Sequence, residues 1–435
     1  MVEKPTRQRV VLAALLFIIL VFAYFDRVNT SVLAADESFL TAMGIKNDPV
    51  AIGSMMSLFL VAYAVANAVL SPLGDIYGPR VIMMIAVVIM GVAMVIGGLA
   101  QTFAILLVAR VILGVGEGLH YPMQMKFVKN WFPPQERGKA NSSWQVAMMF
   151  APAVAMPFFA WLIALVGWRP SFFVLAALSV VSFFMLWGMT TDRPEQHARV
   201  NKRELDHVMG DLKAEAAKEA AMGATTTWQS YKLFLTNYRY WLLVLWYMCN
   251  AAIFWGTIAW LPSYFRAALG FNWAAMGAWS SLPYILGTLS IAFFGYLTDK
   301  YNKQILFAAL SMLFPATFIY LSTTATTTTA AALFISVGIG TVALGLPAVW
   351  SLQQQLTPGK SLAAGAGLMN GFGMASSAAA PVIIGYFIKV TGNYTGGFMY
   401  LVALALIGCV TIIVLGAALS RDKAAAVVTV QSKGE

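Results

Sequence analysis

The chain has 435 residues, of which 60% are hydrophobic and only 11% are charged. Because a soluble domain carries about a quarter of its residues as charged side chains, this composition excludes an ordinary soluble enzyme. The net charge of +10 does not indicate a nucleic-acid surface, since the Lys and Arg residues stand in short loops between apolar runs. The composition is that of a protein embedded in a lipid bilayer.

The first apolar run extends from Val10 to Leu33 and follows Lys4, Arg7 and Arg9. Basic residues before an apolar run also mark a secretory signal peptide. This run is longer than the core of a signal peptide, and no small-residue cleavage site follows it. We therefore expect a retained first membrane span.

Eleven similar runs follow, and each is long enough to cross a bilayer as a helix, which takes about 20 residues. A transmembrane barrel is excluded because its strands would alternate apolar and polar residues. The sequence predicts an all-α membrane protein with twelve transmembrane helices. The predicted spans are Val10–Leu33, Ala51–Leu70, Val81–Leu99, Phe103–Met125, Asn141–Val166, Ser171–Met189, Tyr240–Phe265, Ala274–Leu297, Ile305–Leu321, Ala330–Leu352, Leu362–Ile388 and Gly396–Leu419.

One long polar stretch, Thr190 to Arg239, divides the spans six and six. We therefore expect an N-terminal half at 1–189, a cytoplasmic linker at 190–239, and a C-terminal half with a cytoplasmic tail at 240–435. Within the linker, charged residues at helical spacing predict a surface helix over Arg203–Ala221.

The basic residues set the predicted orientation. With the N-terminus inside, 22 of the 28 Lys and Arg residues lie on the inner side and 4 on the outer side. Both termini are therefore expected in the cytoplasm.

The two halves repeat short loop patterns. Asp75 after the second span and Asp299 after the eighth are 224 residues apart, as are Pro134 and Pro358 after the fourth and tenth spans. A duplicated six-helix unit explains this spacing, so we expect two pseudo-symmetric halves.

At these loops the chain resembles the major facilitator superfamily. The superfamily signature Gly-x-x-x-Asp-x-x-Gly-x-Arg is met by Asp75, Gly78 and Arg80, with Ser71 in place of the first Gly. The resemblance implies alternating access by two six-helix halves. It also implies a gating role at the cytoplasmic helix junctions for Asp75, Gly78, Arg80 and the second-half Asp299.

A narrower resemblance is to the anion:cation symporter family, which carries sugar acids, aromatic carboxylates, sialic acid or glutamate. It is based on Tyr24-Phe-Asp26-Arg27-Val-Asn29, on Arg110 and Glu117, and on Trp131-Phe-Pro. The family's glutamine in the fifth helix has no aligned counterpart, and Gln145 stands three positions early. By this resemblance the proton-coupling residues are Asp26 and Glu117, and the substrate-binding residues are Arg27, Tyr63, Arg110 and Asn370.

Four Asp, Glu or Arg residues lie inside predicted spans, namely Asp26, Arg27, Arg110 and Glu117. Each costs at least ~2.5–3.5 kcal/mol on insertion scales. They could simply pair and hold the first and fourth helices together, but we favour a water-filled cavity with paired charges. Protonating both acids would leave two guanidinium groups without counter-charges, and a guanidinium binds a carboxylate through two parallel hydrogen bonds.

Helix rise places Asp26 and Arg110 at similar depth and Glu117 about 10.5 Å deeper, near the midplane. A direct contact between Arg110 and Glu117 is therefore not expected, and each needs another partner. We expect Glu117 to be the main coupling group, with Asp26 auxiliary. His120 follows Glu117 by one helical step, and it is either a proton relay or a packing residue.

The C-terminal half has no charged residue inside a span. Its polar and aromatic residues could either contact the substrate or serve in helix packing, and the sequence does not decide between these roles. Asn370 is the exception, because its position also matches a substrate-binding position of the anion:cation symporter family. The other candidates are Asn250, Trp255, Tyr284, Gln353, Gln354, Ser376 and Ser377.

The expected function is proton-coupled uptake of an organic anion, a sugar acid such as galactonate or glucuronate, by alternating access. An aromatic carboxylate as substrate, anion exchange without protons, and a non-transporting sensor of the same fold are the alternatives. We expect no enzymatic activity, no cofactor or metal beyond the coupling proton, and no nucleic-acid partner. A monomer in the bacterial inner membrane is expected.

Overall fold

The computed structural model describes residues 5–133, 135–210, 234–301, 303–357 and 362–431. Within these ranges twelve helices are long and apolar enough to cross a membrane, and no strand occurs. The predicted all-α architecture with twelve spans is confirmed. The spans are α1 Gln8–Leu33, α2 Pro49–Leu70, α3 Pro79–Leu99, α4 Phe103–Trp131, α5 Arg137–Val166, α6 Trp168–Met189, α7 Tyr238–Ala268, α8 Trp273–Thr298, α9 Gln304–Thr324, α10 Thr328–Leu356, α11 Gly365–Thr391 and α12 Tyr394–Arg421.

Several helices continue past the apolar run that predicted them. α4 ends at Trp131 and α10 at Leu356, each beyond its apolar stretch. A helix satisfies its own backbone hydrogen bonds, so it does not have to stop where apolar side chains stop.

Short elements connect the spans. Glu37–Ala42 forms a helix between α1 and α2, Leu73–Tyr77 forms one between α2 and α3, and Pro194–Gln196 forms a 3₁₀ turn after α6. The predicted surface helix of the linker begins at residue 202 and continues to residue 210. Its predicted remainder lies outside the described residues.

The chain forms two compact units. One contains α1 to α6 together with Ala259–Ser281, and the other contains α7 up to Ile258 and the chain from Leu282 onward. Residues 259–281, which the sequence division assigns to the C-terminal half, therefore group with the first unit. The division at 189 and 239 stays a prediction.

In the first unit, α2 and α3 pack along α4, α6 packs along α3, and α5 packs along α1. Glycines bring α4 against α2: an added Cβ at Gly114 would lie 2.5 Å from the carbonyl oxygen of Phe59, and one at Gly118 would lie 2.6 Å from that of Tyr63. The Gly-rich run of α4 is thus a packing surface. It places Glu117 close to Tyr63.

In the second unit, α9 packs along α10 and α12, and α11 packs along α12. The packing of α9 along α10 and α12 corresponds to the packing of α3 along α4 and α6, as a duplicated six-helix unit requires. α10 is interrupted, because Thr328–Val342 and Leu346–Leu356 are separated by a 3₁₀ turn. The Asn250 side chain of α7 donates a hydrogen bond to the Val342 carbonyl oxygen, 2.9 Å away, at this interruption.

Candidate functional site

A buried ion pair joins α1 and α4 in the first unit. The Arg27 Nε lies 2.5 Å from the Glu117 Oε2, and the two side chains are 6% and 2% exposed. Burying two charges is costly unless they are paired and hydrogen-bonded. The Arg27 Nε–H donates to the Glu117 Oε2, whereas the Glu117 Oε1 has no hydrogen-bond partner within the described chain. Glu117 therefore finds its partner in Arg27.

Three aromatic rings surround the same guanidinium. The Arg27 Cζ lies 4.6 Å from the ring centre of Tyr24, 5.2 Å from that of Phe59 and 4.9 Å from that of Tyr63. Such cation–π contacts attract a guanidinium by about 0.5–2 kcal/mol each. They provide a favourable environment that does not depend on Glu117.

The second arginine, Arg110, belongs to α4, and its side chain contacts α1 and α6. Its Nη1 donates to the backbone carbonyl oxygen of Asp26 at 3.4 Å, and its Cζ lies 5.6 Å from the ring centre of Phe172. Asp26 and Arg110 are each 2% exposed. The predicted similar depth of Asp26 and Arg110 is confirmed, and Arg110 finds a partner other than Glu117.

Other buried polar groups lie along the same helices. His120 is buried one turn after Glu117, and within the described chain its Nε2 has no hydrogen-bond partner. Gln145 is half-buried at the end of the helical segment Arg137–Gln145. The Gln124 side chain of α4 donates a hydrogen bond to the Leu16 carbonyl oxygen of α1 at 3.1 Å. The sequence did not predict this contact between the two helices.

In the second unit, the Tyr247 hydroxyl donates to the Asn370 Oδ1 at 3.2 Å. Asn370 is half-buried on α11. Among the other polar candidates, Asn250 and Ser377 donate to backbone carbonyl oxygens, and the Gln353 amide donates to the Thr357 hydroxyl at 3.2 Å. The Asn250 bond joins α7 to α10, the Ser377 bond lies within α11, and the Gln353 bond lies at the end of α10. Asn370 differs from these three because it accepts its bond from a side chain of another helix.

The predicted gating residues of the first half lie where α2 is joined to α3, with Arg80 in the first turn of α3. Asp75 pairs with Lys126 of α4, and the Arg80 backbone N–H donates to the Asp192 Oδ1 at 2.8 Å. Gly78 has φ +84°, and an added Cβ would lie 2.6 Å from that oxygen, so only glycine fits. The side chain of Asp299 lies outside the described residues. A gating role for all four stays a prediction.

A polar network also ties the linker to the first unit. Glu204 accepts hydrogen bonds from the Thr6 hydroxyl at 2.6 Å and from the backbone N–H groups of Gln8 and Arg9 at 2.9 and 3.1 Å. The Arg9 side chain reaches both Glu204 and Glu136, and His207 lies 2.9 Å from Glu136. No local sequence pattern predicts these contacts.

Comparisons with known proteins agree with this fold. The sequence matches the Major Facilitator Superfamily over residues 16–381. Two solved structures share the fold. The first, a bacterial homolog to the human lysosomal transporter Spinster, has a TM-score of 0.74 at 15% identity, covering 97% of this chain and 99% of its own. A D-xylose-proton symporter has a TM-score of 0.70 at 15% identity, covering 93% and 97%.

Several relatives match over nearly the full length. A probable sulfoacetate transporter of Cupriavidus necator is 30% identical and covers 92% of each chain. A probable galactarate/D-glucarate transporter of Escherichia coli strain K12 is 27% identical, covering 95% of this chain and 94% of its own. A D-galactonate transporter of Escherichia coli O6:H1 is 24% identical, covering 95% and 96%. The chain therefore belongs to the Major Facilitator Superfamily, as a multi-pass membrane transporter of the anion:cation symporter type and not an enzyme.

Proposed function

We propose that the protein imports a small organic anion together with protons across the bacterial inner membrane, by alternating access. The observation that carries this proposal is the buried ion pair between Arg27 and Glu117. A guanidinium held by a titratable carboxyl group can exchange that carboxylate for one on a substrate. The same pair can therefore bind a proton and an anion together.

Protonation of Glu117 removes the negative charge that Arg27 pairs with. The guanidinium then has a fork of N–H groups for a substrate carboxylate, which is the geometry that guanidinium binds best. The aromatic rings of Tyr24, Phe59 and Tyr63 still lie around it after Glu117 is neutralised. By thermodynamic reciprocity, if protonation strengthens anion binding, a bound anion strengthens proton binding by the same factor.

Asp26 and Arg110 form the auxiliary part of this proposal. Arg110 lies in contact with the Asp26 backbone, so both charges share the buried region of α1 and α4. With both acids ionised the four residues are neutral overall, and loss of the two carboxylate charges leaves two guanidinium groups. This arrangement favours an anion over a neutral sugar.

The substrate proposed is a sugar acid such as galactonate or glucuronate. Relatives named as transporters of D-galactonate and of galactarate or D-glucarate support this class. Sulfoacetate is the second candidate, because the relative named for it is 30% identical to this chain. Sugar acids and sulfoacetate both present a planar carboxylate to Arg27 or Arg110.

Uptake into proteoliposomes tests the proposal. Radiolabelled D-galactonate, D-glucuronate, sulfoacetate and benzoate are supplied outside vesicles, with and without an imposed pH gradient that is acidic outside. We expect D-galactonate or D-glucuronate to accumulate only with the gradient, and a protonophore to abolish the accumulation. Accumulation of sulfoacetate alone would move the assignment to the second candidate, and accumulation of benzoate alone to the aromatic carboxylates. Uptake that requires preloaded anion and ignores the gradient would instead establish exchange.

Two further expectations belong to this proposal. The chain works as a monomer, and both of its termini lie in the cytoplasm. Protease added to intact cells should therefore leave an affinity tag at either terminus uncut.

A further inference from the structure

The side chain of Tyr247 lies against the face of α11 that carries Asn370. Its hydroxyl donates to the Asn370 Oδ1 at 3.2 Å. One turn along α11, Gly373 leaves room for the ring, because a Cβ there would lie 2.5 Å from the Tyr247 Cε1. Asn370 and Gly373 thus form one notch that receives the tyrosine.

The other side of the ring is held by α10. The ring centres of Tyr247 and Trp350 lie 5.6 Å apart with their planes at 64°, an edge-to-face contact. Trp350 belongs to the helical segment Leu346–Leu356 that follows the interruption of α10. The ring is therefore fixed between two helices, and its hydroxyl is directed at one atom of Asn370.

An amide side chain has two different ends. The oxygen accepts hydrogen bonds, and the NH₂ group donates them. With the Tyr247 hydroxyl donating to the Asn370 Oδ1, the NH₂ group of Asn370 points away from Tyr247. In that orientation the NH₂ group of Asn370 is available to donate to a negatively charged oxygen.

We propose that Tyr247 is a positioning residue that holds Asn370 as a hydrogen-bond donor to the anionic group of the substrate. This inference rests on the proposed function, since it assumes that Asn370 contacts the transported anion. It deepens that function by assigning the second unit a preference for a charged oxygen. Tyr247 itself does not touch the substrate.

The first test is Tyr247→Phe, which keeps the ring between Gly373 and Trp350 and removes the hydroxyl. A single hydrogen bond contributes about threefold to tenfold in affinity. We expect KM for the transported anion to rise by about that factor while the maximal rate is unchanged. The probe is D-galactonate, measured by counterflow in proteoliposomes, or the best transported anion of the panel above.

Tyr240→Phe is the matched control. Tyr240 lies two turns earlier on α7, and its hydroxyl also joins α11, donating to the Gly365 carbonyl oxygen at 2.6 Å. The Tyr240 hydroxyl therefore makes a hydrogen bond between the same two helices, and its acceptor is not Asn370. If the Tyr247 hydroxyl served only to hold α7 on α11, both variants would change KM alike, whereas the proposal predicts a change only for Tyr247→Phe.

A double-mutant cycle completes the test. In an Asn370→Ala background, Tyr247→Phe should have no further effect on KM, and Asn370→Asp should bind anion more weakly than Asn370→Ala because its carboxylate repels the substrate. Additive effects of the two substitutions, or equal effects of Tyr240→Phe and Tyr247→Phe, overturn the positioning role while the transport function stands. If the wild-type protein shows no counterflow with any anion of the panel, the proposed function fails, and the inference fails with it.

Discussion

Arg27 and Arg110 are both buried in the first unit, on α1 and α4, and their surroundings differ. Arg27 pairs with the Glu117 carboxylate and lies among three aromatic rings. Arg110 donates to a backbone carbonyl oxygen, and within the described chain its Nε and Nη2 have no hydrogen-bond partner. A buried N–H group without a partner costs about 1–3 kcal/mol, so an anion that binds these groups recovers that free energy.

Arg110→Lys tests whether this guanidinium binds the anion. Lysine keeps the charge and loses the planar fork, so it cannot donate to the Asp26 carbonyl oxygen and to both oxygens of a carboxylate in the same geometry. We expect KM to rise more than about tenfold, the loss of one charge-assisted hydrogen bond. Arg169→Lys serves as the control, because Arg169 donates to the Gly98 carbonyl oxygen away from the paired charges. Near-normal affinity in Arg110→Lys would remove Arg110 from the site.

The sequence predicted which residues of this region matter better than it predicted their partners. Ionisable residues in apolar spans are costly, and that cost singled out Asp26, Arg27, Arg110 and Glu117. Helix rise gives the depth of a residue but not the direction in which its helix faces a neighbour. The pairing of Arg27 with Glu117, and the position of Phe59 beside Arg27, depend on how closely α2 approaches α4 at the glycines of α4.

Among the elements, the N-terminus of α1 has an unusual cap. The residue at its own N-cap position, Arg7, has φ +57° and makes no side-chain cap hydrogen bond. Glu204 of the linker instead accepts from the first backbone N–H groups of the helix. A carboxylate at a helix N-terminus is stabilised by the free N–H groups and by the helix dipole.

The hydrogen bonds at this cap determine its pH dependence. Burial alone would raise the pKa of Glu204, but the hydrogen bonds from Thr6, Gln8 and Arg9 outweigh it and lower the pKa below its ordinary value of 4.5. A carboxyl group whose pKa is lowered by folding contributes its full stabilisation above the ordinary value. That stabilisation is lost as the pH falls below 4.5 and through the lowered pKa.

Glu204→Gln should therefore release the start of the linker at neutral pH. Glutamine loses the charge and one acceptor oxygen, so Thr6, Arg9 and the helix amides cannot all be satisfied. We expect lower protection of the amides of residues 202–210 against hydrogen exchange, measured relative to the intrinsic rate at each pH, in the variant at neutral pH and in the wild-type protein only under acid conditions. Glu195→Gln, at an exposed acid of the same stretch, is the control. Equal exchange rates in Glu204→Gln and wild type at neutral pH would refute the cap.

This cap shows what local sequence patterns omit. The charge spacing predicted a solvated surface helix, and Glu204 is in fact 1% exposed because it reaches residues almost two hundred positions earlier. A cap supplied by a distant segment has no signature near the helix that it caps. The helices themselves were predictable, because a continuous apolar run of this length has few other stable structures in a bilayer.

For the whole molecule, the repeated helix pairings of the two units agree with the duplication that the spacing of Asp75 and Asp299 predicts. The grouping of Ala259–Ser281 with the first unit was not predictable. Hydropathy marks where a helix lies in the sequence, and it carries no information on which neighbours its two ends contact.

Asp75→Asn tests the gating role at this scale. Asp75 pairs with Lys126 at the end of the first unit that is predicted to face the cytoplasm, and we expect the pair to stabilise the outward-open state. In a variant with Cys249 and Cys409 replaced by Ser and a reporter cysteine at Ser376, Asp75→Asn should increase labelling from the cytoplasmic side and leave the substrate profile unchanged. An altered profile with unchanged labelling would contradict gating.

In the proposed transport mechanism, Glu117 is the group that couples protons to anion movement. Glu117→Gln mimics the protonated carboxyl group at nearly the same volume, so Arg27 should bind substrate without any proton being taken up. Counterflow of labelled anion and gradient-driven accumulation are measured in the same proteoliposomes, with Glu37→Gln, at an exposed acid between α1 and α2, as the control. We predict that Glu117→Gln retains counterflow close to wild type and loses accumulation in response to a pH gradient. If the variant still concentrates the anion as the wild-type protein does, Glu117 is not the coupling group, and the central claim is wrong.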